Sequence, residues 1–255
     1  MNTGQAAHSA PTVSASPTTD AEQRLSAAVA PVIKSDDGHA AVAVDDLTTG
    51  QTASYNGGDD FVTASIVKVD ILSALLYQLQ QSGESLSGEQ QELATTMIEN
   101  SDNDAASDLY DDDGAATGID AANKAFGLTD TAAGTDGYWG LTTTTVTDQI
   151  KLLRQVFTSD SLLTSSSRDY IQNLMSQVEA DQRWGVSAAA SRGSYLVKNG
   201  WLPNPDLWEI NSIGEVTHDG QKLLIVVLSA DNETEDGGIA LVQQIAQAAA
   251  NAITS

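Results

Sequence analysis

The 255-residue sequence predicts an α/β fold of the α+β type: a five-stranded, mainly antiparallel sheet flanked by N- and C-terminal helices, with an inserted all-helical lobe. Segments with strand character occur near the two ends of the chain, whereas the middle has apolar residues at helical spacing. The chain also begins and ends its fold with amphipathic helices, so we expect both helices to cover one face of the sheet.

The first predicted elements are a helix over 21–33 and a hairpin of two strands, 40–44 and 51–55. Apolar residues from Leu25 to Val32 recur at three- and four-residue intervals, which is the spacing of a buried helix face. A Thr-Thr-Gly turn separates the two strands, and an Asn-Gly-Gly-Asp run ends the second strand.

The helical block begins with a long helix that starts at Ser65 and ends at Gly83. Leucines between Leu72 and Leu79 occupy positions i, i+3, i+4 and i+7, so they form one apolar face. Further helical segments follow in the middle of the chain: 87–98, 104–112, 117–126, 143–157 and 164–177.

Strand character returns after the helical block, and the chain closes with a helix over 238–253. The predicted strands here are 194–198, 207–216 and 222–229.

We therefore expect a single domain over 21–255. Its sheet part comprises 21–60 and 190–255, and its helical part comprises 61–189. A cleft between the two parts is the expected place for a functional site.

The N-terminal segment 1–20 has the composition of a leader or tether. It is rich in Ala, Ser, Thr and Pro without hydrophobic periodicity, so we expect it to be disordered. The chain contains no cysteine, and its apolar stretches are too short to span a bilayer. We expect an extracytoplasmic protein, secreted or tethered through this segment, with no export signal in the given chain.

Charge and composition exclude several kinds of partner and cofactor. The formal net charge of -24 repels phosphate backbones, so we expect no nucleic acid to bind. The histidines, His8, His39 and His218, are far apart in sequence, which argues against a zinc site and a Ser-His-Asp triad. No pattern implies a metal or an organic cofactor, and we expect a monomer that acts on a small molecule.

A serine–lysine pair at the start of the long helix is the first candidate for chemistry. Only Lys68 has a serine, Ser65, three residues before it, so both side chains lie on one face one turn apart. The helix N-terminus adds free N–H groups and a positive dipole end that stabilise an oxyanion. Burial and a nearby cation would lower the pKa of Lys68 until its neutral amine can accept a proton. Alone, the pair is better explained as chance on an exposed turn.

Two further motifs follow in order along the chain. Ser101-Asp102-Asn103 comes after the predicted helix 87–98, and Lys198-Asn199-Gly200 ends a predicted strand. Together with Ser65-Ile66-Val67-Lys68 they correspond to the set S-x-x-K, S-D-N and K-T-G. Over roughly residues 21–255 the chain resembles the penicillin-recognising serine hydrolases, and it looks most like their class A β-lactamase branch.

The resemblance implies a role for each matching residue of the helical part. Ser65 would be the acylated nucleophile, and Lys68 would be its general base or proton relay. Ser101 would pass a proton to the leaving nitrogen, and Asn103 would hold the side-chain amide of the substrate. Asp102 is better explained as a brace of its loop than as a reacting group.

The resemblance also assigns roles along the predicted strand. Lys198 would supply positive charge for a substrate carboxylate and help to keep the base neutral. The backbone N–H groups of Ser65 and Trp201 would form the oxyanion hole, with Gly200 and Trp201 lining the substrate site. Asn199 replaces the usual threonine, so an amide donor stands where a hydroxyl would contact the carboxylate.

The segment before the predicted helix 143–157 departs from the family pattern. Class A β-lactamases carry there a glutamate that activates the deacylating water, whereas residues 133–140 contain no glutamate and form a shorter loop. Asp136 is the only carboxylate near that place and a possible substitute. Its shorter side chain favours a turn residue over a group that activates water.

Four tryptophans and one arginine complete the set of candidate residues. Trp139, Trp184, Trp201 and Trp208 would make the cleft more aromatic than basic if they walled it, although core packing better explains Trp184 and Trp208. Arg183 is either a cation that faces the substrate or part of a salt bridge.

Three functions remain open at the level of sequence. The first is a serine hydrolase of the class A β-lactamase-like type, in which a β-lactam or related amide or ester acylates Ser65 and water releases the acid. The second is a penicillin-binding D,D-peptidase-like enzyme acting on a peptidoglycan-like peptide, or a biosynthetic esterase, in which deacylation of β-lactams is slow. The third is a non-catalytic binding domain, which the complete set of motifs argues against.

Overall fold

A five-stranded sheet forms the centre of the computed structural model, which describes residues 19–34, 39–191 and 194–255. The predicted leader, 1–20, lies outside the described residues except for its last two. The strands in chain order are β1 (His39–Asp46), β2 (Thr52–Tyr55), β3 (Phe61–Val62), β4 (Thr143–Thr144), β5 (Tyr195–Asn204), β6 (Leu207–His218) and β7 (Gln221–Asn232). The sheet has the order β2-β1-β7-β6-β5, and each neighbouring pair is antiparallel.

Helices cover both faces of this sheet. In the described residues they are α1 (Asp20–Lys34), α2 (Val67–Ser82), α3 (Gly88–Glu99), α4 (Asn103–Asp112), α5 (Ala115–Phe126), α6 (Val146–Phe157), α7 (Ser165–Ser176) and α8 (Glu235–Thr254). α1 and α8 pack against each other and against the sheet, and α6 contacts β1 and β7. Residues 223–229 of β7 are buried in succession, and neighbouring side chains of a strand point to opposite faces, so neither face is open to solvent there.

The observed elements confirm the predicted fold class. Each predicted helix and strand corresponds to an observed one, and the first and last helices lie together on the sheet as expected. The sequence did not predict β3 and β4, which have two residues each and pair with each other outside the main sheet, because such short strands carry no periodicity.

Strand β5 is longer than predicted. It continues past Lys198 to Asn204 and includes Pro203, which pairs with Trp208 of β6. Proline cannot donate a backbone hydrogen bond, but β5 is the edge strand of the sheet, where that donor is not needed on the open side. The longer strand therefore carries Gly200 and Trp201 as well as Lys198.

Helix α2 is the central helix of the helical part. Its residues from Val67 to Leu76 are all buried, and it ends at Gly83, whose φ of +71° is the left-handed conformation of a helix C-cap. A short 3-10 turn, Ala64–Ile66, precedes α2 and contacts both β5 and β6. The fold therefore places the beginning of α2 directly against the edge of the sheet.

Candidate active site

Ser65 is the accessible residue in a buried segment. All residues from Thr63 to Leu76 are buried except Ser65, which is half-buried. It lies in the 3-10 turn, directly after Ala64, whose φ of +47° is unusual for a residue with a Cβ atom. Ser65 is thus partly accessible to solvent just before a helix that is otherwise packed.

Asn211 of β6 holds the chain that leads to this turn. Its Nδ2 donates to the carbonyl oxygens of Val62 at 2.8 Å and Thr63 at 3.0 Å, and its Oδ1 accepts from the backbone N–H of Ser229 at 3.2 Å. The sequence analysis missed this residue. The signal was a polar Asn-Ser pair inside an apolar strand, because buried polar side chains need hydrogen-bond partners.

Gly200 allows β5 to approach the amide of Ser65. A Cβ atom at this position would lie 2.7 Å from the backbone nitrogen of Ser65, 2.8 Å from that of Ile66 and 2.8 Å from the carbonyl oxygen of Thr63. No side chain fits at these distances, so glycine is required for the contact. The contact brings the Gly200–Trp201 backbone next to the Ser65 amide, where the resemblance expects an oxyanion hole.

Lys68 lies one turn further along and is fully buried. Its Nζ donates to the carbonyl oxygen of Ser101 at 2.6 Å, to the Oγ of Ser101 at 3.2 Å and to the Oδ1 of Asn103 at 2.8 Å. Burial lowers the pKa of Lys68 to about 7, and the negative charge of Asp102 opposes this shift. The amine is therefore partly neutral near pH 7 and able to accept a proton.

Ser101 connects this lysine with the second one. The Oγ of Ser101 accepts from Lys68 at 3.2 Å and from Lys198 at 3.0 Å. Within the described residues its own hydrogen has no acceptor and is free to donate. Ser101 has a φ of +59°, and the side chain of Asp102 caps α4 by accepting from the N–H of Ala105 at 2.8 Å. Asp102 thus braces the loop, as the sequence indicated.

Lys198 is also fully buried. Besides Ser101, its Nζ donates to the carbonyl oxygen of Asn199 at 3.3 Å. Burial lowers the pKa of Lys198 well below the ordinary value, and the charge of Lys68 lowers it further. From the sequence we expected Lys198 to lower the pKa of Lys68; burial is instead the dominant cause for both lysines.

The side chain of Asn199 is not free to bind a substrate, which corrects the expectation from the sequence. It is fully buried, and its Nδ2 donates to the carbonyl oxygens of Gln182 at 2.7 Å and Trp184 at 3.0 Å. An amide nitrogen has two hydrogens, so both are used. Asn103, by contrast, is exposed and keeps its Nδ2 without an acceptor among the described residues.

Two tryptophans lie side by side next to β5. The rings of Trp184 and Trp201 meet edge to face with centroids 6.0 Å apart, and both side chains are half-buried against the core. Trp208 also packs against the core, as expected from the sequence. Arg183 is exposed, and its Nε donates to the carbonyl oxygen of Val178 at 2.6 Å.

Trp139, and not Asp136, packs against Lys68. The Nζ of Lys68 is 5.0 Å from the centroid of the Trp139 ring, and the indole N–H donates to the Oγ of Ser107 at 3.1 Å. Asp136 lies in an exposed turn with a φ of +55°, and its side chain accepts only from the hydroxyl of Thr135, at 3.3 Å, in the described part of the chain. Asp136 is therefore a turn residue. Within the described residues, Lys68 donates no hydrogen bond to a carboxylate.

Comparison with curated proteins identifies mycobacterial relatives. The protein named "Putative lipoprotein LppW" of Mycobacterium tuberculosis is 27% identical over 167 residues, which are 63% of this chain and 53% of that protein. A protein of the same name from Mycobacterium bovis matches equally well. The chain thus spans about half the length of the curated relatives it matches. Among the described helices, none has the length and apolar character needed to cross a membrane.

Solved structures of β-lactamases share the fold. A class A β-lactamase from Bacteroides cellulosilyticus superposes with a TM-score of 0.80 at 18% identity, covering 94% of this chain and 100% of that one. A β-lactamase from Chitinophaga pinensis gives 0.79 at 20% identity, covering 92% and 99%. A variant of PBP-A in its acyl-enzyme complex with penicillin G gives 0.77 at 19% identity, covering 91% and 96%.

A family model agrees with this likeness. The model, described as the beta-lactamase enzyme family, matches residues 23–91 and 85–253. These two matches include Ser65 and Lys68, the loop before α4 and the residues Lys198–Trp201 of β5. The chain therefore belongs to the beta-lactamase enzyme family.

Proposed function

We propose that the protein is a serine hydrolase that forms an acyl-enzyme on Ser65. The observation that carries this proposal is the position of Ser65, which is accessible at the start of buried α2 and touches the backbone of β5 at Gly200. A buried amine with a pKa of about 7, that of Lys68, follows one turn later. A nucleophile, a base and backbone N–H groups for an oxyanion are the parts that acyl transfer needs.

In the acylation step, the Oγ of Ser65 attacks the carbonyl carbon of a strained amide, an amide or an ester. Its proton passes to the neutral amine of Lys68, and the bond between carbonyl carbon and leaving atom then breaks. Ser101 hands a proton from Lys68 to the leaving nitrogen or oxygen, because its Oγ accepts from Lys68 and its own hydrogen is free within the described residues. Asn103 donates its free Nδ2 to a substrate carbonyl.

Deacylation is the slower half of the reaction in this proposal. Water must attack the acyl-enzyme, releasing the carboxylic acid and restoring the Ser65 hydroxyl. The ring of Trp139 covers Lys68 where the resemblance implies a water-activating carboxylate, and Asp136 lies in an exposed turn. Without a positioned general base, the rate falls by about 10²- to 10⁴-fold. This favours a long-lived acyl-enzyme over rapid β-lactam turnover.

We also propose that the enzyme acts outside the cytoplasm. The mycobacterial relatives carry the name of a lipoprotein, and peptidoglycan-like substrates lie outside the inner membrane. Fractionation of the native cells followed by immunodetection tests this part, and a protein confined to the cytosolic fraction would contradict it.

Intact-mass spectrometry with benzylpenicillin, together with the loss of β-lactam absorbance, tests the proposed function. We expect the wild-type protein to gain one penicillin mass that persists for many minutes, with little antibiotic consumed. Ser65→Ala should gain no mass, whereas Ser85→Ala, which changes an exposed serine without a described side-chain hydrogen bond, should behave as wild type. Rapid catalytic consumption that depends on Ser65 would favour a true β-lactamase. Absence of any covalent adduct with penicillin and with a fluorophosphonate would contradict the proposal.

A further inference from the structure

The strip of the cleft beside Ser65 differs in chemistry from the carboxylate-binding strip that the family resemblance implies. It consists of β5 from Lys198 to Trp201 and of the segment Gln182–Trp184 that contacts it. Recognition of a carboxylate needs hydrogen-bond donors or a cation that are free before the substrate arrives. The donors of this strip can therefore be checked one at a time.

The first donor, the amide of Asn199, is already used. Its two hydrogens bind the carbonyl oxygens of Gln182 and Trp184, and its Oδ1 is buried without a partner among the described residues. Turning this amide toward a substrate would leave two carbonyl oxygens unpaired, which is unfavourable. Asn199 therefore joins the loop to the strand and does not bind substrate.

The buried cation of this strip is also committed, and the exposed one lies in solvent. Lys198 is fully buried, and its Nζ binds the Oγ of Ser101 and the carbonyl oxygen of Asn199. Burial lowers the pKa of Lys198 well below its ordinary value, which favours the neutral form of its amine. Arg183 is exposed, so water screens its charge, and in the described part of the chain only its Nε has a hydrogen bond, to the carbonyl oxygen of Val178. The formal net charge of -24 further opposes the approach of an anion.

Aromatic surface occupies the same strip. Trp201 immediately follows Gly200, whose backbone lies against the Ser65 amide, and the Trp201 ring meets Trp184 edge to face at 6.0 Å. Half-buried indole rings bind apolar and aromatic groups by burying their surface. A substrate group placed beside the scissile carbonyl would therefore meet indole rings.

We propose that the substrates that acylate Ser65 are uncharged next to the scissile carbonyl and carry an apolar or aromatic group that packs on Trp201 and Trp184. Neutral aryl-substituted esters and amides fit this description, and substrates with a carboxylate at that place are disfavoured. This inference rests on the proposed function, because it requires that Ser65 be acylated. The chemistry of the step is unchanged: the acyl group goes to Ser65, and the leaving group departs with the proton.

The test compares probes that differ in one charge. Benzylpenicillin and its methyl ester form one pair, and p-nitrophenyl hydrogen succinate and its methyl ester form a second. Intact-mass spectrometry gives the second-order rate constant for acylation of Ser65 by each probe. We expect the neutral member of each pair to react at least about 10-fold faster, because an uncompensated anion in an apolar strip costs more than 1.4 kcal/mol.

Three variants separate the contribution of the aromatic rings from that of the Asn199 amide. Trp201→Ala should slow the neutral probes about 10-fold and change the anionic ones far less, while Trp201→Phe should restore most of the rate. Asn199→Thr should speed the anionic probes relative to the neutral ones, because it offers a hydroxyl donor in place of a committed amide. Circular dichroism and the melting temperature establish that each variant is folded.

The outcomes distinguish this inference from the proposed function. Equal or faster reaction of the anionic probes at Ser65 would overturn the inference and leave the proposed function intact. Labelling of Ser65 by a fluorophosphonate, with no reaction of any neutral probe, would also overturn the inference alone. Failure of all probes and of the fluorophosphonate to label Ser65 would overturn the proposed function.

Discussion

Helix α2 buries two ionisable side chains, Lys68 and Asp70, only two residues apart, and their surroundings differ. Burial brings the pKa of each to about 7, lowering it for the lysine and raising it for the aspartate. Lys68 donates three hydrogen bonds and lies beside accessible Ser65. Asp70 accepts one hydrogen bond, from Asn123 at 3.0 Å, and its Oδ1 has no partner in the described part of the chain.

A shifted pKa does not by itself mark a catalytic group, as Asp70 shows. Asp113, near Asp70, likewise has a pKa raised well above the ordinary value, mainly by burial and then by the charge of Asp70. Both aspartates are buried in the helical part, and each leaves one oxygen unpaired among the described residues. What distinguishes Lys68 is a path of hydrogen bonds to residues that meet the solvent.

The largest expected effect follows from removing the amine. Lys68→Ala should reduce the rate of acylation by benzylpenicillin at least about 10³-fold, because the proton acceptor is lost. Asp70→Asn is the matched variant on the same helix and should change this rate less than about 3-fold. Stopped-flow or intact-mass kinetics measure both variants. An unchanged rate in Lys68→Ala would show that another group accepts the proton.

Removing the hydroxyl that joins the two lysines should have the next largest effect. Ser101→Ala takes away the Oγ that accepts from Lys68 and Lys198, and with it the route of the proton to the leaving atom. We expect acylation to slow by about 10²-fold, with binding of the substrate less affected. A variant that weakens only binding would indicate that Ser101 holds the substrate and moves no proton.

The pH profile of acylation shows whether Lys68 or Asp70 is the group whose ionisation controls the rate. The rate should rise about 10-fold per pH unit below pH 7 and level off above it, as Lys68 loses its proton. Asp70 has a similar pKa, so ionisation of Asp70 would give the same curve. Asp70→Asn should therefore keep the wild-type profile, and a profile that disappears in this variant would transfer the role from Lys68 to Asp70.

The smallest expected effect on acylation is that of Asp70→Asn, which instead changes the stability. Folding raises the pKa of Asp70 from 3.8 to about 7, so the native state binds more protons than the unfolded chain, and stability is lost as the pH rises between these values. Asp70→Asn removes the buried charge, and its amide can donate to the unpaired Oδ1 of Asn123. The free energy of unfolding at pH 8 should rise by up to about 4 kcal/mol, with little difference at pH 4.

Urea unfolding of both proteins at a series of pH values measures this difference. Urea profiles that stay parallel from pH 4 to pH 8 would mean that Asp70 is not buried as a titrating group. Because the wild type and Asp70→Asn share the two buried lysines, the contribution of Lys68 and Lys198 cancels in the comparison.

Local sequence patterns predicted the parts of the site that depend on spacing along one element. Ser65 and Lys68 lie one turn apart at the start of α2, and Gly200 follows Lys198 on one strand. The fold class followed in the same way from apolar periodicity and element order. These features need no knowledge of how distant segments meet.

The rest of the site depends on contacts between distant segments. Asn199 has the right position on β5, but its amide binds the segment Gln182–Trp184, which no spacing rule places there. Trp139 covers Lys68 because of the conformation of its loop. Asn211, which holds the chain before Ser65, acts through contacts more than a hundred residues away along the sequence.

Peptide mapping of the acylated protein tests whether Ser65 is the nucleophile and Lys68 its base. After reaction with benzylpenicillin at pH 8, we expect the added mass on the peptide that contains Ser65. The label should remain in Ser85→Ala and be absent at the same reaction time in Lys68→Ala. A label on another residue, or labelling of Lys68→Ala at the wild-type rate, would contradict the claim that buried Lys68 serves Ser65.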